Sequence, residues 1–316
     1  MAPKHDYRLL DDHVTPPRSF LKLLTLALCL FCSVWLTTTF LETRKDNVVE
    51  PEKPRLSPIF ERFYECVYPK LLPLKGNYDE FWSSFVNLTK ECDDLDAYKS
   101  LDIRSMENAD ETKYVLYPKK EENITMVTLG IGHDVKAEMK LKTLYPKTDF
   151  FGVDPVPEIN KDLYENQLGG TFFQMAISGK GGVYKSHILK KGYSNQMTMH
   201  IGADYFFGEM LRKPKIDILW VDTEGHEYTF IELLHRDGAL DKRAVHICQI
   251  NVEMHKNTFG EPMGEKQKFH DFVWRVLEDG KYIMLKPFYV YWGNYGFIRT
   301  FIVNVADPEC AELYLN

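Results

Sequence analysis

The feature that most constrains the fold is an apolar run that stops abruptly at a group of acidic residues. Residues 216–221 read Ile-Asp-Ile-Leu-Trp-Val, and the next six read Asp-Thr-Glu-Gly-His-Glu. A short apolar run of this kind is typical of a buried strand. In an open α/β sheet, ligands bind beyond the carboxyl ends of the strands. The run therefore predicts a strand whose end places Asp222, Glu224 and Glu227 at the lip of a crevice.

A second strand end of the same kind lies earlier in the chain. Residues 127–132 read Val-Thr-Leu-Gly-Ile-Gly, and Asp154 ends the next apolar run. Glycines let the backbone approach a ligand closely, and a carboxylate can accept both hydroxyls of a ribose. The pattern favours a nucleotide-type cofactor here. The alternative is a tight turn at Gly130 and Gly132, with Asp154 capping a helix ahead of Pro155.

From residue 124 onward, apolar runs alternate with helical patterns. Such alternation is typical of parallel strands joined by crossover helices, so we predict an α/β fold with a mostly parallel sheet. Strands are expected at residues 150–154, 172–177 and 245–252, in addition to the two described above. The apolar runs at 282–290 and 297–305 predict a C-terminal antiparallel hairpin.

The crossover helices are expected to bury one face each. Asp134 is the predicted N-cap of the first, which carries Glu138 and Lys142 as an i,i+4 pair on its solvent face. In the second helix, Ile159 and Leu163 are predicted to point inward.

Residues 20–40 form an apolar run that contains a single charge, Lys22. A helix rising about 1.5 Å per residue needs about 20 residues to cross the hydrocarbon layer, so this run is predicted to be a transmembrane anchor. A cleaved signal peptide is the alternative. The expected organisation is then a tail (1–19), the anchor (20–40), a proline-containing stem (41–58), a helical lead-in with core aromatics (59–123) and the α/β domain (124–316).

The location of the domain follows less directly from the sequence. Basic residues flank the span on both sides, so the positive-inside rule does not fix its orientation. An early anchor after a short tail favours a lumenal C-terminal domain in the ER or Golgi, and sequons at Asn87 and Asn123 suit a lumenal domain. Cys66 and Cys92 could form a bridge there, whereas Cys248 is expected to be a buried thiol.

The charge of the chain excludes one class of partner. The formal net charge is −7, and the sequence contains no long basic stripe. Binding to nucleic acid depends on neutralising phosphates, so a nucleic-acid partner is not expected. Small molecules, glycans and proteins remain as substrates, and the cysteine spacing supports no zinc site.

Five segments taken together resemble the FkbM-type methyltransferase domain. They are the glycine turn at 127–132, residues 151–154, 174–177 and 218–227, and the Asn-Val-Glu-Met-His block at 251–255, in the family's order. The resemblance covers about residues 124–305. It implies a Rossmann-like class I fold that binds S-adenosylmethionine. By the same resemblance, Gly130 and Gly132 lie beside the amino-acid portion of the cofactor, Asp154 on the ribose, Ala176 and Ile177 near the adenine, and Asp222 and Glu224 at the transferred methyl.

Methyl transfer to a hydroxyl needs a group that accepts the proton, and it needs no metal. His226 is the first candidate, because an unperturbed histidine has a pKa of about 6.5. The alternative is that His226 only begins a helix. Asp222, Glu253 and His255 are the other candidate bases, and Glu227 is expected to be a first-turn residue favoured by the helix dipole.

The favoured function is a membrane-anchored methyltransferase that methylates a hydroxyl of a glycan or small acceptor. A lumenal glycosyltransferase is an alternative, because an anchor and stem are their usual layout and Asp222-Thr-Glu224 resembles a metal-binding Asp-x-Asp. A non-catalytic module is the third possibility, since Thr128 and Asp134 replace the acidic residue and third glycine of the family pattern.

Overall fold

The computed structural model describes residues 56–256, 264–292 and 295–316. The predicted tail, the predicted anchor at residues 20–40 and most of the predicted stem lie outside the described residues. Within those ranges, every helix is too short or too polar to cross a membrane.

Two helices open the described part of the chain, α1 (Pro58–Leu71) and α2 (Tyr78–Thr89). The phenylalanine and tryptophan side chains of this segment are buried, in agreement with their predicted core role: Phe60, Phe63, Phe81, Trp82 and Phe85. Leu56 also packs against this core, so packing begins inside the predicted stem. A disulfide joins Cys66 to Cys92 and ties α1 to the turn after α2.

The lead-in is not helical throughout, which departs from the prediction. Its second half forms an antiparallel hairpin, β1 (Ile103–Glu107) and β2 (Thr112–Leu116). Side chains of the main sheet hold this hairpin in place. The amide of Asn251 accepts a hydrogen bond from the Tyr114 N–H at 2.8 Å, and Gln249 accepts one from the Leu116 N–H at 2.6 Å. The β1–β2 hairpin therefore lies over the sheet, and we call it the roof.

The central sheet has seven strands in the order β11-β12-β10-β9-β3-β4-β5. Their bounds are β3 (Ile124–Leu129), β4 (Thr148–Val153), β5 (Thr171–Phe173), β9 (Lys215–Val221), β10 (His246–His255), β11 (Tyr282–Trp292) and β12 (Tyr295–Asn304). The five strands from β10 to β5 are parallel, and β12 and β11 add the predicted antiparallel hairpin. All six residues of β3 are buried, as expected for a strand covered on both faces.

The chain leaves β3 toward β4 on one side, and β9 adjoins β3 on the other. Such a reversal of strand order is the switch point at which open α/β sheets bind ligands. The sheet topology alone therefore locates the crevice at the carboxyl ends of β3 and β9.

In the part of the chain that the structure describes, seven further α-helices complete the domain. They are α3 (Lys136–Leu144), α4 (Pro157–Asp162), α5 (Ala203–Tyr205), α6 (Glu227–Ile231), α7 (Ala239–Lys242), α8 (Gly264–Asp279) and α9 (Pro308–Tyr314). Wider helical turns extend α4 through Leu163–Gln167 and α5 through Phe206–Leu211.

The predicted solvent-facing pair on α3 is wrong, and the predicted inward face of the second helix is confirmed only at Leu163, which packs against the core. Glu138 is buried and accepts a hydrogen bond from the Thr128 hydroxyl at 3.1 Å, while Lys142 Nζ donates to the Leu168 carbonyl at 2.6 Å. Ile159 is 46% exposed, because the polar Asn160 takes the inward position and accepts a bond from a backbone N–H of the glycine turn. Hydrogen bonds therefore bury polar residues in these helices, beside apolar residues such as Ala137 and Leu141 on α3.

The predicted strand at 172–177 is split in two. Its second part is β6 (Ala176–Ser178), which pairs with β8 (Tyr193–Gly202) in a separate three-stranded sheet completed by β7 (Gly182–Leu189). The Met175 N–H donates to the Phe173 carbonyl at 3.1 Å, and this tight turn breaks the strand.

Cys248 is not the predicted thiol, because it forms a disulfide with Cys310. The partner lies on α9, which folds back against β10. This pairing depends on the tertiary return of the C-terminus and has no signature in the sequence around Cys248.

Candidate functional site

One cavity lies over the carboxyl ends of β3, β4 and β9, and we call it the small cavity. All eight residues predicted to act in catalysis or cofactor binding line it: Gly130, Gly132, Asp154, Ala176, Ile177, Asp222, Glu224 and His226. Its volume is about 80 Å³. The β7–β8 hairpin forms its outer wall through residues that include Ser186, Tyr193 and His200.

The two glycines of the turn serve different purposes. Gly130 has φ +85°, and a Cβ added there would overlap the backbone carbonyl of Asp222. Gly132 has φ +65° and no atom within 4 Å of an added Cβ. Gly130 is therefore required for the close approach of β9 to the turn, whereas Gly132 faces open space.

Asp154 is buried at the end of β4, and its carboxylate organises the turn. Oδ2 accepts a hydrogen bond from the Ile131 N–H at 2.9 Å, and Oδ1 accepts one from the Val156 N–H at 2.8 Å. Burial raises the pKa of Asp154, and these backbone donors oppose the rise. Asp154 is not the cap of α4, because the N-cap residue is Val156 and no side chain of the described residues caps that position. The Asn160 side chain and the Gly132 N–H also donate to this carboxylate, so its four acceptor positions are all engaged.

A second buried carboxylate, that of Glu138 on α3, lies behind the turn. The Thr128 hydroxyl on β3 donates a hydrogen bond to Glu138, and the buried Tyr164 hydroxyl donates one to Thr128 Oγ1 at 2.9 Å. Burial raises the pKa of Glu138 to about 7. The family pattern has an acidic residue at position 128. Here a carboxylate reaches the Thr128 side chain from α3 instead, and this contact was not predicted because Glu138 was expected to be exposed.

On the β9–β10 side of the rim, four carboxylates surround one imidazole. His255 Nδ1 lies 3.1 Å from Glu227 Oε1, and Nε2 lies 3.5 Å from Glu224 Oε2. The same Nε2 lies 4.0 Å from Asp222 Oδ1 and 3.9 Å from Glu253 Oε2. Burial alone would lower the pKa of His255, but the surrounding negative charges raise it to about 10.

The role of Glu227 extends beyond the predicted favourable interaction of its charge with the helix dipole. It is fully buried, and its carboxylate accepts hydrogen bonds from the Thr223 N–H at 2.9 Å and the Gly225 N–H at 2.9 Å. These bonds fold the loop after β9 around the carboxylate. Glu224, in that loop, has φ +54° and accepts a hydrogen bond from the Tyr193 hydroxyl.

His226 precedes α6, as its structural interpretation predicted, and it also lines the small cavity. Its Nε2 lies 3.2 Å from the Lys185 carbonyl, and its ring centroid lies 4.3 Å from that of His200. A carbonyl only accepts, so Nε2 carries the proton and Nδ1 is the basic nitrogen of the neutral ring. Burial lowers the pKa of His226, which keeps the ring neutral at physiological pH.

A larger cavity of about 670 Å³ lies between the β1–β2 roof and the sheet, and we call it the large cavity. Asp222 lines both cavities. Arg299 lines the large cavity and bonds Glu253 Oε1 at 2.6 Å, and Lys113 pairs with Glu111 in its roof. The two cavities therefore meet at the end of β9.

Tyr193 and His200 lie on β8 and both line the small cavity, and neither was named as a site residue from the sequence. The roof was missed because β1 and β2 were assigned to a helical segment.

Five parallel strands with a switch point, a glycine turn after the first and an antiparallel C-terminal hairpin define a Rossmann-like class I methyltransferase fold. The chain belongs to the FkbM methyltransferase family, because the model of the methyltransferase FkbM domain matches residues 75–304. It is thus an S-adenosylmethionine-dependent methyltransferase by family, and S-adenosylmethionine is its cofactor.

Solved structures with a similar fold are distant in sequence. One is TrmK of M. capricolum in complex with S-adenosyl-homocysteine, at 14% identity and a TM-score of 0.31, covering 57% of this chain and 62% of that one. Another is the O-methyltransferase TomG of Streptomyces achromogenes in complex with S-adenosylmethionine, at 10% identity and a TM-score of 0.34, covering 57% of this chain and 72% of that one. The chain thus spans less than two thirds of TrmK. No curated protein matches it significantly.

Proposed function

We propose that the protein methylates a hydroxyl group on a glycan or other small acceptor, using S-adenosylmethionine bound in the small cavity. The observation that carries this proposal is the meeting of two cavities at Asp222. The small cavity has the glycine turn and the acidic residue at a strand end that are typical of a cofactor site. The large cavity, of about 670 Å³, has room for an acceptor, since ligand pockets measure about 300–1,000 Å³. Methyl donor and acceptor then approach each other at the end of β9.

The residues of the small cavity fit the cofactor in chemical type. The exposed backbone at Gly132 suits the amino-acid portion, and the Asp154 carboxylate at the end of β4 can accept the ribose hydroxyls in place of some of its present donors. Met175, Ala176 and Ile177 offer apolar surface to an adenine. The volume of about 80 Å³ is below the range of ligand pockets, so we infer that the β7–β8 hairpin moves outward when the cofactor binds.

When bound, S-adenosylmethionine supplies an activated methyl group on a sulfonium. The side chains of the rim have two tasks, which are to align the acceptor and to accept its proton. Alignment alone can contribute about 7–11 kcal/mol to lowering the barrier. His226 is suited to the second task, because its Nδ1 is basic and the ring lies in the cavity wall. Asp222, between the two cavities, is suited to orienting the acceptor.

Two substitutions test this division of roles. We expect Asp154→Ala to weaken the binding of S-adenosylhomocysteine strongly, because it removes both the ribose acceptor and the bonds that shape the turn. Asp222→Ala should leave that binding nearly unchanged and reduce turnover. Isothermal titration calorimetry measures the first effect, and methyl transfer to a panel of hydroxylated acceptors measures the second. Unchanged binding by the Asp154 variant would contradict the cofactor assignment.

We further propose that residues 20–40 anchor the protein in a membrane of the secretory pathway, with the domain in the lumen. Two disulfides support this location, since such bonds persist in oxidising compartments. Both sequon asparagines, Asn87 and Asn123, are exposed. The expressed protein should therefore gain mobility on gels after treatment with an N-glycosidase. Unaltered mobility would count against the lumenal orientation, and Asn87→Gln with Asn123→Gln provides the unglycosylated control.

A further inference from the structure

Three side chains at the β9–β10 side of the rim have the composition and spacing of a metal site. We propose that Asp222, Glu224 and His255 bind one divalent transition-metal ion, for which manganese(II) is a suitable probe. One ligand atom from each residue lies within 4.8 Å of the others. This site borders the small cavity without using the glycine turn or Asp154.

The separation between His255 and Glu224 is that of two ligands around one ion, and the separation between His255 and Asp222 is somewhat longer. His255 Nε2 lies 3.5 Å from Glu224 Oε2 and 4.0 Å from Asp222 Oδ1. An N–H···O bond is about 2.7–3.2 Å long, so neither contact is a good hydrogen bond. Two ligands each about 2.1 Å from one ion lie about 3.0 Å apart at a right angle and about 3.4 Å apart at the tetrahedral angle. A small inward movement of Asp222 would complete the site.

One of these atoms lacks any partner. Asp222 Oδ1 is inaccessible to solvent and accepts no hydrogen bond from the residues that the structure describes. Buried polar atoms are rarely left unsatisfied, and a buried carboxylate oxygen without a donor is especially costly. The oxygen lies 4.0 Å from His255 Nε2, so a cation between the two atoms would satisfy it.

The imidazole is held in the orientation that a metal ligand requires. Its Nδ1 bonds Glu227, whose carboxylate can only accept, so Nδ1 carries a proton. In the neutral ring, the Nε2 lone pair then faces Asp222 and Glu224, which are acceptors too. Metal-binding histidines commonly bond a carboxylate through their other nitrogen, as His255 does here. An imidazole with two carboxylates favours manganese, iron or zinc over calcium.

The position of the site gives the ion a place in the reaction, and this step depends on the proposed methyltransferase function. Asp222 and Glu253 line the large cavity, and Glu224 lines the small one. Three protein ligands leave coordination positions open, and an oxygen of the acceptor can occupy one of them. The ion would then hold that oxygen beside the methyl group.

Binding is tested with the full-length protein and manganese(II) alone. Electron paramagnetic resonance follows the loss of the free-ion signal, and electron spin-echo modulation detects a coordinated nitrogen. The wild type should bind one ion and show nitrogen coupling. Glu224→Gln and His255→Gln should each weaken binding at least about tenfold, and His255→Gln should also abolish the coupling. Glu227→Gln should weaken binding about 10–100-fold through the orientation of His255.

Asp110→Asn is the matched control. Asp110 is an exposed acid that lines the large cavity, and its substitution removes the same charge outside the cluster. The affinity of the Asp110→Asn variant for manganese should equal that of the wild type. Thermal unfolding of each variant establishes that it is folded.

The competing explanation is that a second proton on His255, rather than a metal ion, balances the carboxylates. It predicts a wild type that leaves manganese free, or that binds it without nitrogen coupling and with equal affinity in Glu224→Gln and His255→Gln. Any of these results overturns the proposal. Titration with S-adenosylhomocysteine distinguishes failure of the metal site from failure of the proposed methyltransferase function. Cofactor binding without manganese binding defeats only the metal site. Manganese binding without cofactor binding defeats only the proposed function.

Discussion

The two halves of the strand-end rim use carboxylates in opposite ways. On the β3–β4 side, both oxygens of Asp154 accept backbone N–H groups, and Glu138 accepts the Thr128 hydroxyl. On the β9–β10 side, Asp222 Oδ1 has no donor among the described residues, and Glu224 faces His255 at 3.5 Å. The carboxylates of the first half are satisfied within the protein, whereas the second half combines bonded carboxylates, such as Glu227, with the unsatisfied oxygen of Asp222.

This difference distinguishes carboxylates that fix the backbone conformation from carboxylates that can bind a ligand. A carboxylate whose oxygens are bonded to the backbone fixes the conformation of a turn, and its loss is felt as instability. A carboxylate that lacks a donor retains its binding capacity for a ligand, and it persists only where the surrounding fold compensates its cost. Substitution of the satisfied carboxylate Glu138 should therefore affect folding, and substitution of Asp222 or Glu224 should affect ligand binding and turnover.

The largest effect on stability is expected at the glycine turn. Gly130→Ala combines a left-handed backbone with an overlap against Asp222. We expect a loss of about 2–5 kcal/mol, from about 1–2 for the backbone and about 1–3 for overpacking. Urea unfolding measures it. Gly132→Ala is the control, because it shares the positive φ but meets no atom, and should lose only about 1–2 kcal/mol. Equal losses would show that the contact with β9 is unimportant.

The next effect is a pH dependence that originates at Glu138. Its pKa is raised from 4.5 to about 7 by burial, so the folded state binds more protons than the unfolded state between these values. The stability present below pH 4.5 is therefore lost as the pH rises to 7, by about 3 kcal/mol at 1.36 kcal/mol per pH unit.

Urea unfolding at several pH values checks this prediction. Glu138→Gln should flatten the loss between pH 4.5 and 7, whereas Glu158→Gln, at an exposed carboxylate on α4, should keep the wild-type profile. A Glu138 variant with an unchanged profile would place the titrating group elsewhere.

A smaller effect is expected inside the β9–β10 half. Glu227→Gln replaces a fully buried carboxylate that accepts two backbone N–H groups and bonds His255. Hydrogen bonds to charged groups contribute about 1.5–3 kcal/mol, so we expect a loss of about 2 kcal/mol. Glu224→Gln, on the same loop, should change stability by no more than about 0.5 kcal/mol. Thermal unfolding of the pair compares them, and a larger loss for Glu224 would make it a structural residue.

Much of the fold could be predicted because it follows from local patterns. The alternation of apolar runs and helices gave the parallel strands, and the apolar runs at the end gave the hairpin of β11 and β12. Strand ends in a parallel sheet lie on one edge, so residues that follow strands, such as Gly130, Asp154 and Asp222, had to come close together.

Other features depend on contacts between distant segments, and no local pattern reports them. The sequence determined the sheet, its carboxyl-terminal edge and the acidic residues along it, because hydrophobic periodicity and turn residues act over short stretches of chain. Only the tertiary structure decided that β1–β2 roofs the large cavity, that β7–β8 closes the small one, and that Cys248 meets Cys310. It also decided which carboxylates are satisfied, since the donors around Asp154 and the imidazole beside Asp222 come from other parts of the chain.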